Sequence, residues 1–296
     1  MIDAKISPSQ PTVRATVRPM RLPVIRPRLA LTYGLLFAFS FLLVIPFLWL
    51  VSASLKNDSQ YFAVPTLWLP NPVMWSNYWR VISEYKLLLY IGNSLALAVF
   101  SVVANVLVSS LVAYGFARFR FPGRGILFIV LLATMMLPQQ ISTISLYRVF
   151  RDFGWINTFL PILVPRLFGS AFDIFLFRQF FLGLPREIDE AAKLDGCGAW
   201  RIYWNIILPQ SAPVMIVVAI TTFLYSWRDL WGPLIYLSNE QTRTLPLGIL
   251  LFSVPGKGTI FPLLMAAAVI ALIPPVVLYL LGQRYFDRGI IVAEVK

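Results

Sequence analysis

Two groups of charged residues in this chain stand where their chemistry has to be explained. The first lies in 185–213, PREIDEAAKLDGCGAWRIYWNIILPQSAP, the longest charged interruption in the apolar later half of the sequence. The second is Arg166, Asp173 and Arg178, which stand inside an apolar run. Neither group is equipped for covalent chemistry. The chain has no histidine and a single cysteine, Cys197, which excludes a histidine-dependent nucleophile, a disulfide framework and a Cys/His metal site. No stretch has the phosphate-cradling pattern GxxxxGK[ST]; the nearest, Gly256-Lys257-Gly258-Thr259, lacks the upstream glycine. No cofactor or metal is expected, and ATP, if it drives the protein, is bound by another chain. What remains is noncovalent: docking a partner in the first group, and lining a polar path or coupling to an ion in the second.

The docking reading follows from local helix physics. Pro185 suits the first position of a helix, and Glu187, Asp189 and Glu190 fall in the first turns, where the positive end of the backbone dipole favours carboxylates. Arg186 with Glu190, and Asp189 with Lys193, are spaced i,i+4 and can pair along a solvated flank. Leu184, Ile188, Ala191 and Ala192 fall opposite, and the two alanines make that face a shallow ridge on which another protein can sit. Asp195-Gly196 stops the helix, with glycine taking a left-handed cap, and a second helix starts near Trp200. Helix, turn, helix is the expected form.

Glu190-Ala191-Ala192, then Asp195-Gly196, then Leu208-Pro209 and Pro213 resemble the EAA loop of ABC importer permeases. Arg178-Gln179-Phe180-Phe181, the segment 227–234, Thr244-Leu245-Pro246-Leu247 and Gln283-Arg284-Tyr285-Phe286 are similar to the sugar branch of that family, the MalG-like permeases. The similarity covers about 29–286; Arg228-Asp229 stands where relatives often have Asn-Glu, and 290–296 lacks their glycine-bearing ending. The resemblance implies that Glu190 reaches into an ATPase subunit, that Ala191 and Ala192 form the contact ridge, and that Asp195 and Gly196 make the turn that aims it. Arg186, Ile188 and Leu194 are expected to support that surface. It also implies the partners: a second permease subunit, two cytoplasmic ATP-binding subunits and an external sugar-binding protein.

The elements that must position these groups are membrane spans. The chain is 58% hydrophobic and 13% charged, with a mean hydropathy of +0.75, far more apolar than a soluble domain, in which charged residues are about 25%. A net charge of +12 raises nucleic acid as a partner, but the basic residues are scattered between apolar runs without aromatic interleaving, so no nucleic acid is expected. Six spans are expected, near 29–51, 87–114, 126–144 (broken by Pro138), 159–181, 206–227 and 261–282. Residues 1–28 read as a disordered basic cytoplasmic tail, 29–283 as the permease domain with its core at about 87–283 and its coupling loop at 183–205, and 284–296 as a cytoplasmic C-terminal tail. The loops on the side of both termini carry fifteen basic residues against eight on the other, which places both termini and the 183–205 loop in the cytoplasm of a cell-membrane protein. The segment 52–86, with Tyr61, Trp68, Trp75, Tyr78 and Trp79, lies outside, as an interfacial anchor or a surface for a soluble partner.

Within the fourth span a charge costs about 2.5–3.5 kcal/mol, so Arg166 and Asp173 need partners or water. Seven residues apart, they share a helix face and are candidates for a polar path; alternatively Arg166 and Arg178 reach opposite interfaces and only Asp173 is internal. The expected fold is all-helical, with six spans and a cytoplasmic coupling-helix loop, and the expected function is translocation of a sugar or oligosaccharide in an ATP-driven importer, without enzymatic activity of its own. The other readings are an ion-coupled secondary transporter or channel using Arg166 and Asp173, and an importer of another solute such as a polyol phosphate.

Overall fold

The computed structural model describes residues 27–253 and 260–294. The tail expected at 1–28 therefore lies almost wholly outside the described residues. Among those described the chain is helical, with no strand. It divides into two units, one ending at Leu48 and one starting at Trp49.

Helix α1, Pro27–Ser54, is an apolar rod with Pro46 inside it. The second unit begins with a segment built around a buried lysine. Lys56 donates to the Leu67 carbonyl and lies 3.9 Å from the Trp49 ring centre, and burial pushes its amine below the usual lysine value. Asn77, on α2 (Ser76–Ser83), donates to the carbonyls of Ser54 and Lys56 at 2.9 and 2.8 Å and closes this loop.

The organising element is α3, Leu87–Arg118, 32 residues long or about 48 Å. Ala98, Ala113, Ala117, Ser101, Ser109 and Ser110 along it are completely buried; such small side chains let neighbouring helices come close. Then follow α4 (Arg124–Ala133), α5 (Gln139–Asp152), α6 (Ala171–Gly183), α7 (Glu187–Leu194), α8 (Ala199–Ile202), α9 (Ala212–Trp227), α10 (Trp231–Tyr236), α11 (Leu245–Leu250) and α12 (Phe261–Glu294). α6 and α9 flank α3. One apolar core joins Ala113, Ala117, Phe177, Phe181, Ile202, Tyr203, Ile207 and Val218 at one end of α3; another joins Leu87, Tyr90, Trp227, Leu245, Leu263 and Ala266 at the other.

Four stretches are long and apolar enough to cross a membrane: Leu31–Ser54, Leu87–Arg118, Leu160–Gly183 and Phe261–Gln283. Two bent pairs, Arg124–Met136 with Gln140–Asp152 at 97° and Ala199–Gln210 with Ala212–Trp227 at 77°, bring the number to six when each is one span. Both bends have chemical causes. Pro138 is the extended residue that caps α5, a conformation proline's ring favours and a helix interior does not. Pro209 cannot donate a backbone hydrogen bond and crowds the carbonyl four residues back; the chain takes a wide π turn over Tyr203–Ile207 just ahead of it. α12 runs through Glu294, so residues 284–294 continue that helix.

Candidate functional site: the charged loop and the cavity along one helix

The charged loop folds as helix, turn, helix. α7 begins two residues later than Pro185 suggests, at Glu187 with Arg186 as its capping residue, and carries Glu187, Asp189 and Glu190 in its first turn. Its end is a complete left-handed cap. Gly196 has φ of 79°, its N–H donates to the Lys193 carbonyl at 3.0 Å, and the N–H of Cys197 reaches back to the Ala192 carbonyl at 2.9 Å.

The faces of α7 differ from the expectation at two positions. Ala192 is buried against the protein's own core, with Cys197 and Leu184 beside it, so Ala191 and Ala192 do not form a joint ridge. Asp189 is buried too and pairs with Arg118, not with Lys193. The reason is a competing partner: α3 ends on a guanidinium that spacing within the loop does not reveal. Exposed on α7 and its cap are Arg186, Glu187, Glu190, Ala191, Lys193, Leu194, Asp195 and Gly196, with Ile188 half-buried. Leu194 stands out at 90% exposure, an apolar side chain with nothing among the described residues to cover it.

Three residues of α3, spaced by four and so on one face, hold the loop. The hydroxyls of Ser110 and Tyr203 bond at 2.8 Å, Tyr114 donates to the Ala199 carbonyl at 3.2 Å, and Arg118 donates to the Leu184 carbonyl at 3.3 Å. Sequence reasoning missed Arg118, taking it only as a loop charge; its register with Ser110 and Tyr114 on an otherwise apolar helix is the signal that marks it.

Farther along α3 the same helix meets Asp173. The span at Leu160–Gly183 is interrupted: a 3-10 turn, Val164–Phe168, leads to Gly169 at φ 74°, and Ser170 then caps α6 by accepting from the Asp173 N–H at 3.4 Å. A β-carbon at Gly169 would sit 3.0 Å from Ser109 Oγ. Asp173, 7% exposed, therefore lies in the first turn of a new helix. Asn105 donates to Asp173 Oδ2 at 2.7 Å and to Thr222 Oγ1 at 2.8 Å, while Ser109 donates to Asn105 Oδ1 at 2.9 Å and accepts from the Ser170 N–H at 3.2 Å. This network ties α3, α6 and α9 together. Asn105, Ser109 and Thr222 carry it; the first two read in sequence as helix packing alone.

Arg166 and Asp173 are not on one face of a continuous helix, since the break at Gly169 separates them. They nevertheless line the same cavity of about 720 Å³, with Asn105, Thr221, Thr222, Tyr225, Asp229 and Trp231. The Arg166 guanidinium lies 4.8 Å from the Tyr225 ring centre. Arg178 packs 4.1 Å from the Phe128 ring centre, away from that lining. Asp229 accepts from the Gly232 N–H at 3.2 Å. The lining offers amide, hydroxyl and carboxylate groups beside aromatic faces, a set suited to holding a polar solute by hydrogen bonds and stacking. Among the described residues no group of three Cys, Asp or Glu is placed to hold a metal ion.

Comparison with known proteins agrees with this architecture. A solved bacterial ABC transporter chain, from a complex involved in the import of the acidic polysaccharide alginate, superposes with a TM-score of 0.77 over 91% of this chain and 100% of that one, at 21% identity; that likeness is one of fold. The probable ABC transporter permease YurM of Bacillus subtilis is 33% identical, over 88% of this chain and 87% of its own. The sn-glycerol-3-phosphate transport system permease UgpE of Yersinia enterocolitica is 36% identical over 82% and 89%, and the arabinooligosaccharides transport system permease AraQ of Halalkalibacterium halodurans 32% identical over 90% and 95%. The family model for the binding-protein-dependent transport system inner membrane component matches residues 105–292, which run from the Asn105 hub through the charged loop into α12. With that match and these relatives, the chain belongs to the binding-protein-dependent transport inner membrane components, the permeases of ABC importers.

Proposed function

We propose that the chain is one of two membrane subunits of an importer that carries an uncharged sugar or oligosaccharide, delivered by an external binding protein, and that α7 docks on a cytoplasmic ATP-hydrolysing subunit. In this reading ATP hydrolysis belongs to the partner, both termini are cytoplasmic, and access alternates as the docked loop moves the spans attached to it. One observation carries it: α7 is a rigidly capped helix with an acidic, partly apolar outer face, fastened through Asp189 to Arg118 of the same helix, α3, whose Asn105 lines the cavity. Glu190 is the residue that reaches into the partner, Ala191 and Leu194 give the apolar contact, and Asp195 with Gly196 sets the aim.

The named relatives act on both uncharged and phosphorylated solutes. Cavity chemistry supports the uncharged class: two carboxylates, Asp173 and Asp229, face a single guanidinium, Arg166, and an anion there meets net repulsion. An ion-coupled carrier is less well supported, because Asp173 is already held by Asn105 inside a packed network.

The decisive test is Glu190→Ala. The side chain is exposed and bonds nothing in its own chain that folding needs, so membrane insertion is expected at wild-type level while uptake falls at least tenfold. Normal uptake removes the docking assignment, and uptake that persists without any ATPase subunit favours the ion-coupled carrier.

A further inference from the structure

α7 is held to α3 by a buried charge as well as by packing. Arg118 Nε lies 3.0 Å from Asp189 Oδ2, and the two side chains are only 7% and 11% exposed. Both ends are incompletely bonded: Arg118 Nε is close to the carboxylate but not aligned for a hydrogen bond, and Asp189 Oδ1 accepts none. The contact is held by charge in a low-dielectric setting, where removing one partner leaves the other buried and uncompensated. It is also isolated from the rest of the acidic helix, whose Glu187 and Glu190 face outward.

Its position gives it a mechanical consequence. Arg118 is the last residue of α3 and also bonds the Leu184 carbonyl, at the end of α6. One guanidinium therefore joins the end of α3, the end of α6 and the first turn of α7. Toward the cavity, α3 continues through Ser110 to Asn105, which holds Asp173 and Thr222. Without the ion pair, α7 is attached to α3 mainly through the apolar contacts of Ala192 and its neighbours, which slide more readily than a fixed charge contact.

We infer that Arg118 and Asp189 are positioning residues that clamp α7 to α3, so that movement imposed on the loop by its partner displaces α3, and the cavity network on it, as one body. This rests on the reading of α7 as the docking helix. The clamp makes a claim a merely stabilising contact does not: the distance from α7 to α3 stays constant when the ATPase subunits change state.

The experiment places spin labels on Glu187→Cys, exposed in the first turn of α7, and Leu111→Cys, exposed on α3, in a Cys197→Ser background within the assembled complex with its ATPase subunits. Distances are read by pulsed electron resonance without nucleotide and with ATP and vanadate. A single narrow distribution, unchanged between the two states, is expected for the parent, and Asp189→Asn is expected to broaden it and make it shift with nucleotide. The amide pair Arg118→Gln/Asp189→Asn, which puts a neutral hydrogen bond in place of the buried charge contact, is expected to restore the narrow distribution. A parent distance that changes with nucleotide overturns the inference, as does an unchanged narrow distribution in Asp189→Asn, or an amide pair as broad as the single variant. Should Asp189→Asn not assemble, Arg118→Gln, which removes the other charge of the pair, gives the same reading. Co-purification of the ATPase subunits with Glu190→Ala separates the two claims: undiminished co-purification sinks docking at α7, while the distances judge the clamp.

Discussion

Asparagine 105 does at residue scale what no charged partner does for Asp173: its amide donates to the carboxylate and to Thr222 while its carbonyl accepts from Ser109. Asn105→Leu removes every one of these bonds and leaves a buried carboxylate without its donor, a loss on the order of 3 kcal/mol. A marked fall in the unfolding temperature of the detergent-solubilised protein is expected, whereas Asp173→Asn, which has no charge to strand, is expected to lose much less; equal stability of Asn105→Leu and the parent removes the network from the fold's support. Gly196 makes a different demand. A β-carbon there meets nothing within 4 Å, yet φ is 79°, so the cost of a side chain is backbone strain, about 1–2 kcal/mol for a β-branched residue. Gly196→Val is expected to open the turn and abolish ATPase co-purification, and Gly196→Asn to keep it; retention by the valine variant breaks the link between the cap and docking. Gly196 was legible in the sequence because a cap is a local rule. The inward turn of Ala192 and the partner of Asp189 were not, because both depend on α3, which is distant in sequence from the loop.

Among elements, apolar length made the spans legible, and breaks inside them were legible only where proline makes them. The turns at Pro138 and Pro209 follow from a missing N–H and a crowding ring. The break at Gly169 was legible only in part: Pro161 and Pro165 stand in the turns just ahead of it, but only the approach of Ser109 to Gly169 shows why the chain turns there and restarts α6 after its cap, Ser170. Reading 159–181 as continuous misplaced Arg166 and Asp173 on a common helix face while leaving them, by another route, in a common cavity. For α7, the eight-residue length and complete cap make it a stiff unit whose outer face can be altered without touching its inner one. Leu194→Asp tests that separation. The side chain is 90% exposed, so stability is expected to change by no more than about 0.5 kcal/mol, while a charge set into an apolar contact is expected to weaken ATPase association at least tenfold. Unaltered association, measured by co-purification at matched expression, moves the contact surface off this face of α7.

For the whole molecule, the fifteen-to-eight division of basic residues predicts sides before any helix is packed, because loops rich in lysine and arginine tend to remain cytoplasmic. The division agrees with the loop's proposed role although it is independent of it: the reading that puts both termini inside also puts α7 on the side where the proposed ATP-hydrolysing partner would bind. Cys197 alone is a poor reporter of this, since it is half-buried beside Ala192 and Leu184 and its labelling depends on local opening. A Lys193→Cys variant in a Cys197→Ser background presents an exposed thiol on α7, and Val64→Cys in the same background presents one in the segment 52–86, at a position 96% exposed. A membrane-impermeant maleimide is expected to label Lys193→Cys in inverted vesicles and not in intact spheroplasts, and Val64→Cys in the opposite pattern. Bound ATPase subunits are expected to protect Lys193→Cys, one residue from Leu194, and to leave Val64→Cys unchanged. Labelling of Lys193→Cys from outside reverses the topology and takes the docking reading with it, while inside labelling that the ATPase does not diminish keeps the topology and requires a contact surface other than α7.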